Sequence, residues 1–139
     1  MITPKQSLIF LSLFFLPSLS FAEFQSNDEI AIQLIAASKD YPIQQRIKTQ
    51  SGVLLNTPYL AGALGEGVSG KYDQNPLYRF DYFDCETYVD TVMALVLAKN
   101  LTDFRSKINQ IRYKQANVNF TQRNHFPSAD WIPNNKKNG

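Results

Sequence analysis

Of the 139 residues, one is cysteine, one is histidine and one is tryptophan. A single cysteine cannot close an internal disulfide, so in an oxidising compartment it is either buried or functional. One histidine and one cysteine at no ligand spacing make no metal site, and no cofactor is implied. Runs of like charge are missing too. Fourteen Lys and Arg face 12 Asp and Glu, for a formal charge of +2, and the only basic cluster is Lys136-Lys137. Nucleic acid is therefore a poor partner. There is no internal repeat, no low-complexity tract, and no apolar run long enough to span a bilayer.

The longest apolar run, Leu8 to Leu16, follows Lys5 and is broken by Pro17. Ser20 and Ala22 then put small residues at both key positions before Glu23. This pattern predicts a Sec signal peptide over residues 1–22, cleaved after Ala22. With no cysteine near the cleavage site, no lipid anchor is expected. The expected destination is a bacterial periplasm or beyond, with no stable membrane anchor. Residues 23–139 are enough for one small domain, and removal of Lys5 leaves it a charge of about +1.

The mature chain reads as mostly helical. Ser26 or Asn27 can cap a first helix, with Asp28 and Glu29 in its first turn and Ile30, Leu34 and Ala37 at helical spacing. A second helix is expected from Pro42 to about Leu55, with Ile43, Ile47 and Leu54 as its apolar stripe. Residues 61–76 are rich in Gly, Ser, Asp and Asn and read as a long loop, which in a compact domain is often functional. Leu77 to Phe83 alternates like a short strand or extended segment. Asp84 to Lys99 is apolar over most of its circumference and reads as a core helix. A further helix is expected with Thr102 as its cap, then a loop or weak strand around Val118–Phe120, then a short helix starting near Ser128.

Cys85 stands where the core helix begins. A thiol there meets unpaired backbone N–H groups and the positive end of the helix dipole, which favour the reactive thiolate. It is a candidate nucleophile; the alternative is a small hydrophobe buried at a helix start.

Two motifs in order carry a family resemblance. Asn56-Thr57-Pro58-Tyr59-Leu60-Ala61-Gly62 matches a Pro-Tyr-x-x-Gly element, and Asp84-Cys85-Glu86-Thr87-Tyr88-Val89 matches an Asp-Cys-x-x-aromatic-Val element. Together they resemble the NlpC-type papain-like cysteine amidases and peptidases, which cut bacterial cell-wall peptides. The wide spacing between them, Ile111-Arg112-Tyr113, and the block Arg123 to Ile132 resemble one branch, the N-acetylmuramoyl-L-alanine-amidase-like proteins. The resemblance runs from about Arg46 to Gly139.

The resemblance implies a muropeptide substrate and a role for each matched residue. Cys85 would attack an amide carbonyl and form an acyl-enzyme, with its own backbone N–H helping to hold the oxyanion. Tyr59 would line the cleft and donate to the oxyanion or substrate, or else pack under the loop. Asp84, before the nucleophile, suits an N-cap. Arg123, His125, Asp130 and Trp131 would border the substrate groove, with Arg123 pairing a stem-peptide carboxylate. Asp130 and Trp131 equally suit a helix cap and a core aromatic. His125 is the sole histidine available as a general base, yet Phe126-Pro127-Ser128 follows it where the superfamily has an apolar strand.

The resemblance further implies an α+β, papain-like (NlpC-type) fold. Mainly its helical N-terminal half would be present here, with the sheet half and the base-bearing strand lying beyond Gly139. Tyr88, Val92, Leu95 and Val96 would then lack the sheet they should face. The expected function is a cell-wall amidase inactive on its own. The alternatives are a wall-binding module without turnover and a small secreted helical interaction protein.

Overall fold

The computed structural model describes residues 25–138. The leader expected over residues 1–22 lies outside them. Five α-helices carry the fold: α1 (Asn27–Ser38), α2 (Ile43–Leu54), α3 (Cys85–Leu97), α4 (Leu101–Arg112) and α5 (Ile132–Asn138).

Local chemistry sets the helix starts. The Ser26 hydroxyl accepts from the Glu29 N–H while the Glu29 carboxylate accepts from the Ser26 N–H, a reciprocal cap on α1. Asp84 caps α3 in the same way with Thr87. The cap of α4 is Asn100, whose side chain accepts from the Asp103 N–H at 2.9 Å. Thr102, expected to be the cap, lies inside the helix. At the far end of α3, Arg46 of α2 donates to the Ala98 carbonyl at 2.8 Å, meeting an acceptor that the helix leaves open.

The α+β expectation is overturned. Among the described residues there is no sheet, only two isolated bridges, Tyr59 with Phe83 and Tyr113 with Arg123. Helices cover α3 instead. Val92, Leu95 and Val96 are buried in a core with Ala31 and Ile35 of α1, Leu54 of α2, and Phe104, Ile108 and Ile111 of α4. The apolar face expected to be bare is thus largely enclosed; Val89 and Leu97 remain exposed.

The alternating segment 77–83 has no strand to extend along. Its Tyr78 ring packs edge-on against Phe104 at 5.2 Å, and its hydroxyl bonds Asp28. Only Phe83 reaches a bridge partner. The weak strand expected at Val118–Phe120 is likewise absent, and Asn119 instead caps a 3₁₀ turn over Phe120–Gln122.

The long loop is packed rather than open. The Gly65 N–H donates to the Pro76 carbonyl, Glu66 to Asp73, and Gly67 to Asn75, at 2.8–3.0 Å. Ala63, Leu64 and Glu66 are buried. Gly67 adopts φ +78°, which favours glycine. At Gly65, an added Cβ would collide with the Asp73 carboxylate and lie 2.8 Å from the Asn75 nitrogen. Gly65→Ala is therefore expected to lower stability by about 1–3 kcal/mol, read as a lower thermal midpoint. An unchanged midpoint would show that the loop yields freely there.

Candidate active site

The two sequence motifs, more than twenty residues apart, meet in space. The Leu60 N–H donates to the Phe83 carbonyl at 3.0 Å and the Phe83 N–H to the Pro58 carbonyl at 3.1 Å. The Gly62 N–H reaches Asp84 Oδ2 at 3.2 Å. Asp84 therefore uses one carboxylate oxygen to cap α3 and the other to hold the Pro-Tyr-x-x-Gly segment against the helix start. Tyr59 is placed beside that junction but is 72% exposed. Cys85 is the first residue of α3 and is also exposed. At this position its backbone N–H has no partner within the helix.

A polar cavity of about 130 Å³ opens at the same place. Asp84, Glu86, Thr87 and Asp90 line it from α3, and Gly62 and Leu64 from the loop. Arg112, Arg123, Asn124 and His125 close the other side. Of the residues predicted for the site, Arg123 and His125 belong to this wall. Cys85 sits between two lining residues. Trp131 acts one step back: its indole N–H donates to Asp90 Oδ1 at 2.7 Å. Asp130 faces away, paired with Lys114 at 3.0 Å, and that hydrogen bond holds its carboxyl below the usual range.

Charges in the wall are strongly coupled. The Arg123 guanidinium is gripped by Glu66 and by Asp73, the latter at 2.8 Å. The Tyr113 hydroxyl donates to the Gly65 carbonyl at 2.9 Å and lies 3.3 Å from Glu66 Oε1, and burial pushes it up to about 12. Arg112 is buried and donates to the carbonyls of Gly65 and Leu77 at 3.2 and 3.1 Å. Its Nε lies 3.9 Å from Asp90 Oδ2, close enough to attract but too far to hydrogen-bond. Burial outweighs the help from Trp131 and Arg112, and the Asp90 carboxyl is pushed up to about 7. Glu86 is raised as well, by burial first and by the neighbouring Asp84 second.

His125 is exposed at the cavity mouth, with its ring 4.7 Å from that of Phe120. Its Nε2 is 2.7 Å from the Phe120 carbonyl. A carbonyl only accepts, so Nε2 is the donor in this contact, which leaves Nδ1 as the ring atom able to accept in the neutral tautomer.

Sequence reasoning singled out neither Asp90, Arg112, Glu66, Asp73, Glu86 nor Asn124 as site residues. One signal was present for Asp90, the only charged residue between Thr87 and Ala98. A lone charge on a core helix implies a buried partner.

A family model described as AmiA-like, N-acetylmuramoyl-L-alanine amidase-like, matches residues 49–138. The crystal structure of protein LPG0564 from Legionella pneumophila is similar with a TM-score of 0.77 and 39% identity, over 81% of this chain and 38% of that one. An N-acetylmuramoyl-L-alanine amidase from Bacteroides uniformis is similar with a TM-score of 0.58 and 28% identity, over 70% of this chain and 41% of that one. The chain thus spans well under half the length of these solved structures. No curated protein matches significantly.

Proposed function

We propose, from the premise that the chain belongs to the AmiA-like, N-acetylmuramoyl-L-alanine amidase-like family, that it serves hydrolysis of peptidoglycan fragments with Cys85 as nucleophile. The bond cut is the one between N-acetylmuramic acid and L-alanine, or a peptide bond near it, in the periplasm or outside the cell. The observation that carries this reading is the exposed Cys85 at the start of α3, flanked on both sides by residues of a polar cavity. The thiolate adds to the amide carbonyl carbon and the carbon–nitrogen bond breaks. The departing nitrogen takes a proton and leaves as an amine, and water then hydrolyses the thioester. The Cys85 backbone N–H, free of a helical partner, suits the oxyanion.

The general base, in this reading, lies in the part of the relatives' length that this chain does not match, so turnover by these residues alone is low. A second reading is favoured by the His125 geometry. With Nε2–H tied to the Phe120 carbonyl, Nδ1 is free to accept the thiol proton.

Digestion of purified muropeptides, followed by mass spectrometry, separates the two. The first reading expects little cleavage by the chain alone. It expects cleavage when the chain is joined to the rest of a relative such as the Legionella protein, lowered about a thousandfold or more by Cys85→Ala. Cleavage by the chain alone that is lost in both Cys85→Ala and His125→Ala would establish the second. Cleavage that survives Cys85→Ala would sink both.

A further inference from the structure

A second hollow, a groove of about 390 Å³, adjoins the polar cavity. Two contacts link them. Phe120 lines the groove and packs against His125 of the cavity wall at 4.7 Å, and Glu66 lines the groove and pairs with Arg123 of that wall. Two aromatic rings from different segments meet in the groove. Tyr72 comes from the 61–76 loop and Phe120 from the 3₁₀ turn, with ring centres 5.6 Å apart and planes tilted by 59°. Arg123 follows that turn and holds Asp73, the neighbour of Tyr72, at 2.8 Å, which ties the two segments together. Both rings still meet solvent, Tyr72 at 63% exposure and Phe120 at 38%.

Donors stand beside these rings. Asn119 Oδ1 accepts from the Thr121 N–H and hydroxyl, each at 3.0 Å, which leaves its Nδ2 as a donor. The Lys71 ammonium lies 5.0 Å from the Tyr72 ring centre and has no carboxylate at ion-pair distance among the described residues. Exposed ring faces with donors at their edge suit a ligand that has an apolar C–H face and a rim of acceptor oxygens. A pyranose carrying an acetamido group has both. The acidic stem peptide fits less well. It calls for several free cations, and Arg123 is already held by Glu66 and Asp73.

Resting on the amidase reading above, we propose that this groove is the glycan subsite, where the sugar of a muropeptide lies against Tyr72 and Phe120 and accepts from Lys71 and Asn119. The scissile amide joins sugar to peptide, so a sugar-binding groove must adjoin the cavity beside Cys85, as this one does.

Calorimetry on the full chain, carrying Cys85→Ala to stop turnover, tests the assignment. It compares an N-acetylglucosaminyl-N-acetylmuramoyl tripeptide with the same stem tripeptide N-acetylated at its L-alanine. The two ligands differ in the sugars alone. The glycan-bearing ligand should bind tighter by about fivefold or more. Tyr72→Ala should remove most of that margin, Lys71→Met should narrow it, and Tyr72→Phe should keep it, because the ring face is retained. Equal binding of the two ligands, or a margin that survives both Tyr72→Ala and Lys71→Met, overturns the subsite. A margin lost as fully in Tyr72→Phe as in Tyr72→Ala overturns it too. If the muropeptide still binds in those cases, the peptidoglycan reading stands without the groove. If neither ligand binds, both are overturned.

Discussion

Arg112→Met should cost about 3–5 kcal/mol of stability at pH 8, a large share of the roughly 5–15 kcal/mol that holds a small domain folded. Methionine roughly matches the volume of the arginine stem, so cavity formation is not the main cost. The loss is electrostatic. Arg112 is buried, and its guanidinium serves the Leu77 carbonyl, the Gly65 carbonyl and the Asp90 carboxylate together. Gly65 keeps a donor in the Tyr113 hydroxyl at 2.9 Å, whereas the other two acceptors lose their cation. Denaturant unfolding at pH 8 measures the effect. At pH 5 the cost should shrink, because a protonated Asp90 no longer needs the cation. Combining Arg112→Met with Asp90→Asn should recover part of the loss at pH 8, since the two side chains share one network. A loss under 1 kcal/mol at pH 8 would mean that Arg112 is not an essential strut of the site.

Stability should fall as pH rises from about 4 to about 7, a direction opposite to ordinary acid denaturation. Asp90 carries an ordinary carboxyl value of 3.8 when unfolded and about 7 when folded. Between these values the folded chain holds a proton that the unfolded chain has released. The stabilisation is complete below the lower value and is lost as pH passes the higher one, a change on the order of a few kcal/mol. Glu86, also raised, acts in the same sense. Asp130, held down by Lys114, acts in the opposite sense and only under acid conditions, below its unfolded value. Thermal unfolding at pH 5 and pH 8 should therefore show a midpoint lower by several degrees at pH 8. Asp90→Asn should remove most of that difference, since its amide oxygen can still accept from the Trp131 indole. A midpoint that rises with pH in the parent chain would refute the buried, raised Asp90.

Features written within a few residues of one another were legible without coordinates. The Ser26 and Asp84 caps need only a side chain and the N–H three residues on. The apolar periodicity of α3 and the placement of Cys85 at its first turn follow from the same short range. The strand reading of 77–83 failed because alternation describes a segment able to pair, and pairing depends on what lies alongside. Here that is Phe104 and Asp28 from two helices, with Pro58 to Leu60 giving one bridge only. The resemblance pointed to the right family while its implied sheet is absent from the described residues. The motifs that carried it are local, and a sheet is not.

The candidate site divides along the same line. Sequence alone determined a lone cysteine at a helix start, a capping aspartate before it, and a Pro-Tyr-x-x-Gly segment upstream. Each is a short-range pattern with its own chemistry. Tertiary structure decided what those residues face. Arg123 could be read as free to meet a substrate carboxylate until Glu66 and Asp73, 57 and 50 residues away, were found holding it. Asp90 meets Trp131 across 41 residues and Arg112 across a helix packing. Charge pairing of this kind is set by the relative placement of α3, α4 and the 61–76 loop. No local spacing encodes that placement, because it results from burying the whole core at once.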